Sequence, residues 1–348
     1  MARGVIALLG SGETAPGMVK VHRALLKRLD PVRAVTLDSA YGFQENVEQV
    51  TGKIIEYFAT SLRTRILPLS LMRHESASDD ERLLVRAGVQ NANYVFAGPG
   101  SPSYALNQWR PLGLVEDLAD VLENDGVVCF ASAAALTLGS HSVPVYEIYK
   151  VGEDPRWLSG LNLLSRLGLN CAVIPHFDNA EGRNYDTRFC YIGERRLREL
   201  EDQLPAGTGI LGVDEHTALL IDLAEQTISV TGRSHGHWRL DGSAEVLENG
   251  TTIPIAQLRG TARVPLETTP SAPSTSPRDL SDLLARLSGP AAFDAAPLIE
   301  SIVQLRLEAK SQGDFALADR LRAVLVGVGV EVRDTPEGTQ WSLPERGD

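Results

Sequence analysis

The chain has 348 residues, 43% of them hydrophobic, and a formal net charge of -12. That length buries one large core or two smaller ones, and the acidic balance disfavours broad attachment to phosphate backbones, which requires a basic face. No run of about 18 apolar residues is available to span a bilayer, and the first ten residues lack the apolar stretch and small-residue cleavage site of a secretory signal, so no membrane contact and a cytoplasmic location are expected.

Val5-Ile6-Ala7-Leu8-Leu9 is a short apolar run that ends in Gly10-Ser11-Gly12-Glu13-Thr14, the pattern of a buried parallel strand followed by a loop. Helical spacing follows over 18–29, and the alternation continues with a strand over 34–37, a helix over 45–62, a strand over 65–69, a helix over 79–90 and a strand over 94–97. Strand and helix in this rhythm predict βαβ units and a mostly parallel sheet covered on both faces. Val127-Val128-Cys129-Phe130 is the next strand, and it runs directly into Ala131-Ser132-Ala133-Ala134-Ala135-Leu136, which has strong helix propensity. Cys171-Ala172-Val173-Ile174-Pro175 is a strand that ends at His176, and a charged helix fits 191–204. Between 209 and 255, apolar and polar residues alternate around glycine turns, which predicts antiparallel strands at the sheet edge.

From 264 to 279 the composition shifts to Thr, Ser and Pro, a linker with nothing to anchor a core. Helical spacing returns over 280–287, 297–312 and 314–326, and a small hairpin ends the chain. The expected organisation is therefore an α/β domain over 1–263, the linker, and a small helical module over 280–348.

Cys129, Cys171 and Cys190 lie far apart, have no metal-ligand spacing and are odd in number, so they read as reduced, mostly buried thiols. His235 and His237 at i and i+2 of a strand share one face, which does not amount to a metal site. His141 lies near the segments discussed next. Gly10 to Thr14 is a weak candidate for an anion site at the start of the following helix.

In an open parallel sheet, reactive groups collect at the carboxyl ends of the strands. Three candidates sit there: the turn Gly98-Pro99-Gly100-Ser101, Ser132 and His176. A serine on a tight strand-to-helix turn exposes its hydroxyl and aims the next N–H groups at it, which suits a nucleophile beside an oxyanion hole. The same position also suits a helix-capping serine. A histidine that deprotonates such a serine needs a carboxylate partner, and Glu147 and Asp178 are available by chain position.

Together these residues resemble the peptidase E and cyanophycinase type of serine peptidases, which have the class I glutamine amidotransferase-like fold. The resemblance covers about residues 4–240 and rests on Gly10-Ser11-Gly12-Glu13, Gly98-Pro99-Gly100-Ser101, Ser132-Ala133-Ala134-Ala135, Pro144-Val145-Tyr146-Glu147, Pro175-His176-Phe177-Asp178-Asn179-Ala180 and Gly212-Val213-Asp214-Glu215-His216-Thr217-Ala218-Leu219. It implies a three-layer α/β/α, mostly parallel sheet and a cofactor-independent serine hydrolase. It further implies Ser132 as nucleophile, His176 as general base, Glu147 as the acid and Gly100 and Ala133 as oxyanion donors. Ser101, Asp178 and Glu215 would then face substrate, Glu215 either recognising a substrate amine or orienting the triad.

The family turn is usually Gly-X-Ser-Ala-Gly, but here it reads Phe130-Ala131-Ser132-Ala133-Ala134. Glycine permits the strained dihedrals of a nucleophile elbow, so its loss implies either a relaxed turn or lost catalysis. The Gly-Pro-Gly-Ser turn also lacks the asparagine common in the family.

About the last 50 residues, with Asp314-Phe315-Ala316-Leu317-Ala318-Asp319-Arg320-Leu321-Arg322 and the ending Asp334-Thr335-Pro336-Glu337-Gly338-Thr339-Gln340-Trp341, resemble the carboxy-terminal end of cysteinyl-tRNA synthetase. No His-Ile-Gly-His or Lys-Met-Ser-Lys-Ser motif accompanies them. Two readings result. The first is a serine hydrolase cleaving a small peptide or amide; a homo-oligomer is compatible with it. The second is a non-catalytic amidotransferase-like binding protein that contacts tRNA or a synthetase through residues 298–348. A helical hairpin packed only on itself, with Leu298, Ile302 and Leu305 facing Phe315, Ala318, Leu321 and Leu325, competes for the tail.

Overall fold

The computed structural model describes residues 3–258 and, farther along, 303, 306, 307, 310, 315–327, 330–335 and 338–342. The chain divides into two compact units, Met1–Ala262 and Arg263–Asp348.

In the first unit, five parallel strands lie side by side in the order β1 (Val5–Leu9), β5 (Val127–Ala131), β4 (Tyr94–Ala97), β2 (Ala34–Leu37) and β3 (Ile66–Leu69). β1, β2, β4 and β5 are buried along their whole length, as strands covered on both faces must be. Each fully buried aliphatic side chain there contributes about 1.5–3 kcal/mol. Helices α1 (Val19–Leu26), α2 (Val47–Tyr57), α3 (Asp79–Asn91), α4 (Pro102–Leu112) and α5 (Leu114–Glu123) connect these strands, giving the α/β/α class with a mostly parallel sheet that the alternation predicts. Ser78 starts α3 with a reciprocal capping box to Glu81.

The region 209–255 differs from the single antiparallel edge expected of it. β10 (Thr217–Asp222), β11 (Thr227–Gly232) and β14 (Thr252–Pro254) do extend the large sheet antiparallel beyond β1. β9 (Gly209–Val213) instead lies parallel to β8 (Cys171–Ile174), which follows a two-stranded ribbon of β6 (His141–Ser142) and β7 (Leu158–Ser159), and β12 (Gly236–Leu240) and β13 (Ser243–Leu247) complete a second, four-stranded sheet with β8 and β9. The chain passes from one sheet to the other at the corner Asp214-Glu215-His216, where His216 has a φ of 53°. Asp214 fastens that corner: its carboxylate accepts from His237 Nε2 at 2.8 Å, Ser234 Oγ at 2.7 Å and the His235 N–H at 3.0 Å. Burial alone would raise the carboxyl above its ordinary value, but the bonds from His237, Ser234 and His235 outweigh it and hold it below. His237 thus serves as a structural partner, stacked on Phe177 at 4.4 Å.

In the second unit, a helix spans Phe315–Gly327, followed by a hairpin of β15 (Glu331–Thr335) and β16 (Gly338–Ser342), matching the expected last helix and hairpin. Val303, Leu325, Val330 and Val332 form its small core, whereas Phe315 is exposed rather than part of an apolar helix face. The expected linker over 264–279 and helix over 280–287 lie outside the described residues, as do most of those over 297–312.

Candidate active site

Ser132 stands at the carboxyl end of β5 immediately before the short helix α6 (Ala133–Leu136). Its N–H donates to the Leu9 carbonyl at 3.1 Å, which continues the β1–β5 ladder by one residue. The serine itself adopts φ 50°, ψ -123°, a strained conformation for a residue with a Cβ. The missing elbow glycines therefore have not relaxed the turn. Phe130 stays inside the strand, wholly buried and 5.6 Å from the Trp109 ring, and Ala134 donates its N–H to the Gly98 carbonyl at 3.3 Å.

Ser132 Oγ lies 2.9 Å from His176 Nε2, and His176 Nδ1 lies 2.9 Å from Glu215 Oε1. A carboxylate only accepts, so the proton on Nδ1 faces Glu215 and leaves Nε2 to accept from the serine hydroxyl. Glu215 also receives a bond from Asn179 Nδ2 at 3.0 Å. The His176 bond, reinforced by Asn179 against the opposing effect of burial, holds the Glu215 carboxyl below its ordinary value. Glu215 occupies the corner between the two sheets, so the crossing of the chain is what brings it to a histidine 39 residues earlier. The backbone N–H of Glu215 donates to Asp178 Oδ1 at 2.7 Å, so exposed Asp178 braces the corner.

Glu147 is elsewhere. Its Oε1 accepts from Ser103 Oγ, which is 2.9 Å from Ser101 Oγ, and its Oε2 is buried with no hydrogen-bond partner. The carboxylate expected beside His176 is thus bonded to the first turn of α4, and Glu215 holds the Nδ1 position. Ser101 caps α4 by accepting from the Tyr104 N–H at 3.2 Å. Ala133 is the first residue of α6, a position whose N–H has no carbonyl to bond within the helix. Gly100 has a φ of 138°, and a Cβ there would sit 2.1 Å from the Ala40 carbonyl oxygen, so only glycine fits.

Two residues without an assigned role in the sequence also converge on the site. Glu13 lies in the loop after β1, its Oε1 3.5 Å from where a Gly98 Cβ would stand. Burial raises its carboxyl above the ordinary value, opposed by its own N–H and the imidazoles of His176 and His216. Its backbone carbonyl accepts from buried His22 Nε2 at 2.8 Å, and His22 Nδ1 accepts from Tyr94 at 2.7 Å; burial pushes this imidazole down to about 4, so it is neutral. His216 covers Gly12, where a Cβ would meet its Nδ1 at 2.1 Å. The loop from Gly10 to Thr14 thus packs beneath the Glu215 corner. Its only sequence signal is the paired glycines that allow so close an approach.

On the other side of His176, Phe189, Cys190 and Tyr191 all have positive φ, and this left-handed turn sets the Tyr191 ring 6.4 Å from the His176 ring. Tyr149 stacks on Tyr191 at 5.2 Å, and Tyr191 donates to Glu181 Oε2 at 2.6 Å. His141 packs edge-on to Trp157 at 5.9 Å and bonds Ser140. Cys129, Cys171 and Cys190 are buried free thiols, each pushed up to about 12 by burial and therefore poor nucleophiles. Among the described residues, no cluster of His, Cys, Asp and Glu is arranged to hold a metal ion, and no helix is long and apolar enough to cross a membrane.

This architecture matches a solved structure, that of a peptidase from an acI-B1 Actinobacterium, with a TM-score of 0.59 and 21% identity over 73% of this chain and 97% of that one. The chain shares its fold with that peptidase. A putative peptidase E protein from Listeria monocytogenes EGD-e covers 66% of this chain and 99% of its own at 14% identity and a TM-score of 0.47. No family model matches the chain. Among curated proteins, a cysteine–tRNA ligase of Desulfovibrio desulfuricans is 49% identical over 47 residues, and one of Halorhodospira halophila is 49% identical over 57. The chain spans 10% and 12% of the length of these two relatives.

Proposed function

We propose that the first unit is a serine-type hydrolase of peptidase E kind that cleaves a small peptide or amide without a cofactor. The observation that carries this reading is the unbroken chain Ser132 Oγ, His176 Nε2, His176 Nδ1, Glu215 Oε1, with 2.9 Å at each hydrogen bond, built on a serine held at φ 50°. In this reading His176 takes the hydroxyl proton as Ser132 attacks the scissile carbonyl. Glu215 fixes the tautomer and stabilises the imidazolium that forms. The N–H groups of Gly100 and Ala133 receive the developing oxyanion, His176 returns its proton to the leaving amine, and water hydrolyses the acyl-enzyme by the same route. The shared fold with a solved peptidase supports the assignment.

The test is labelling of the purified full chain with a fluorophosphonate probe. Wild type should label, and Ser132→Ala and His176→Ala should not. A folded wild type that stays unlabelled would overturn the reading.

The short matches to cysteine–tRNA ligases favour a further role for the second unit, and we propose that residues 298–348 contact tRNA or a synthetase. Gel-shift titration of the full chain with a tRNA pool tests it. Binding no tighter than to a random RNA of equal length rejects the tRNA contact, and failure of the full chain to co-sediment with purified cysteinyl-tRNA synthetase rejects the synthetase contact.

A further inference from the structure

The carboxylate of Asp38, 2% exposed, does no capping work in its own turn. It reaches out instead to the segment after β3, where Oδ2 accepts from Ser70 Oγ at 2.5 Å and Oδ1 from the Leu71 N–H at 3.3 Å. The turn that Asp38 begins, Ser39–Tyr41, presents the Ala40 carbonyl to the Ser101 N–H at 2.8 Å. The same Ala40–Tyr41 peptide lies flat against Gly100, leaving no room for a Cβ. From Ser101 the network returns: Ser101 caps α4, and Tyr104 in its first turn donates to the Met72 carbonyl at 2.7 Å, next to Leu71. Hydrogen bonds and two short stretches of chain thus close a circuit from Asp38 through Ala40, Ser101, Tyr104 and Met72 to Leu71 and back. Gly100 adjoins it at Ser101.

We infer that Asp38 is a positioning residue for the backbone of Gly100, fixing through Ala40 the direction of an N–H at the mouth of the Ser132 site. This inference rests on the proposed hydrolase reading for its catalytic consequence only; the mechanical link stands on the bonds above. A loop between strand and helix would otherwise be free to rotate its peptide planes, and an oxyanion donor displaced by a fraction of an ångström loses most of its effect. Buried among Ser70, Leu71 and Tyr41, Asp38 gives the turn a fixed seat. Its burial, which raises the carboxyl, accords with a group kept for its hydrogen bonds rather than its charge.

The experiment has two independent readouts on the full chain. In the first, amide hydrogen exchange is compared between wild type, Asp38→Ala and Asp38→Asn. Exchange at the Ser101 N–H, which is bonded to the Ala40 carbonyl, should accelerate about tenfold or more in Asp38→Ala, with strand 94–97 unchanged, and Asp38→Asn should recover most of the protection because its side-chain oxygen still accepts. In the second, the maximal rate of fluorophosphonate inactivation should fall about tenfold in Asp38→Ala with little change in half-saturating probe concentration. Should Asp38→Ala fail to fold, Ser70→Ala removes one bond of the same seat with a single oxygen lost. Unchanged exchange at Ser101 would overturn the inference. An unlabelled wild type would instead sink the hydrolase reading alone, since the exchange measurement still decides Asp38.

Discussion

His176 Nδ1 lies 2.9 Å from Glu215 Oε1, whereas Glu147 is bonded to Ser103. The two carboxylates therefore have unequal consequences if His176 is a general base. Replacing Glu215 by Gln permits the wrong imidazole tautomer and removes the charge that stabilises the imidazolium, so Glu215→Gln should slow fluorophosphonate labelling by about 100-fold to 10,000-fold. Glu147→Gln, which keeps an acceptor for Ser103, should cost about tenfold or less. Equal losses, or a larger loss at Glu147, would reject Glu215 as the orienting acid.

Ser132 holds φ 50°, ψ -123° with a Cβ in place, and its neighbours Phe130 and Ala134 give no glycine relief. Such a conformation costs about 1–3 kcal/mol in a non-glycine residue. Ser132→Gly should therefore be more stable than Ser132→Ala by about 1 kcal/mol, or roughly 2–3 °C in Tm, although both lack the hydroxyl. Calorimetry of the two variants decides it; a Ser132→Ala protein at least as stable as Ser132→Gly would mean that the turn is not strained.

The strands β1, β2 and β4 were legible to the residue because each is a short apolar run closed by polar or glycine residues. Helices α4 and α5 were not legible. Pro111 falls inside α4, and a single residue, Gly113 at φ 72°, separates the two helices, so no uninterrupted helical period crosses 102–123. Ser132 and His176 could be placed by their position at strand ends. The acid could not be placed that way: the resemblance offered Glu147 as the acid and Glu215 only as one of two roles, and Glu215 reaches His176 only because β9 and β10 separate into different sheets, which local alternation of apolar residues does not reveal. Asp38 has no sequence signal at all; its bonds to Ser70 and Leu71 depend on β2 and β3 being neighbours.

Gly10 touches the corner that carries Glu215: a Cβ there would lie 1.9 Å from the Asp214 carbonyl oxygen and 2.7 Å from that of Val213. Both obstacles are backbone, so they cannot rotate aside as a side chain would. Gly10→Ala should destabilise the fold by about 1–3 kcal/mol and slow labelling of Ser132 by moving Glu215 from His176. Gly17→Ala, with nothing within 4 Å of its Cβ, is the control and should do neither. Loss of stability with undiminished labelling would show that the corner and His176 are not mechanically linked.

Folding shifts the carboxyls of Asp38 and Glu215 in opposite directions. Glu215 sits below its ordinary value, so its contribution to stability is present above the ordinary carboxylate range and is lost as pH falls through the folded value. Burial lifts Asp38 from 3.8 to about 7. Between those limits the folded protein keeps a proton that the unfolded chain has released, so the unfolded state binds fewer protons and stability declines as pH rises, levelling off above about 7. Glu13, also raised by burial, adds a decline of the same sign. Asp38→Asn keeps an acceptor but cannot ionise, so its Tm should depend less on pH than that of wild type between about pH 5 and pH 7, the two curves diverging in favour of the variant as pH rises. Parallel curves across that range would mean that Asp38 is ionised in the folded protein at every pH tested, and that Ser70 and Leu71 solvate its charge.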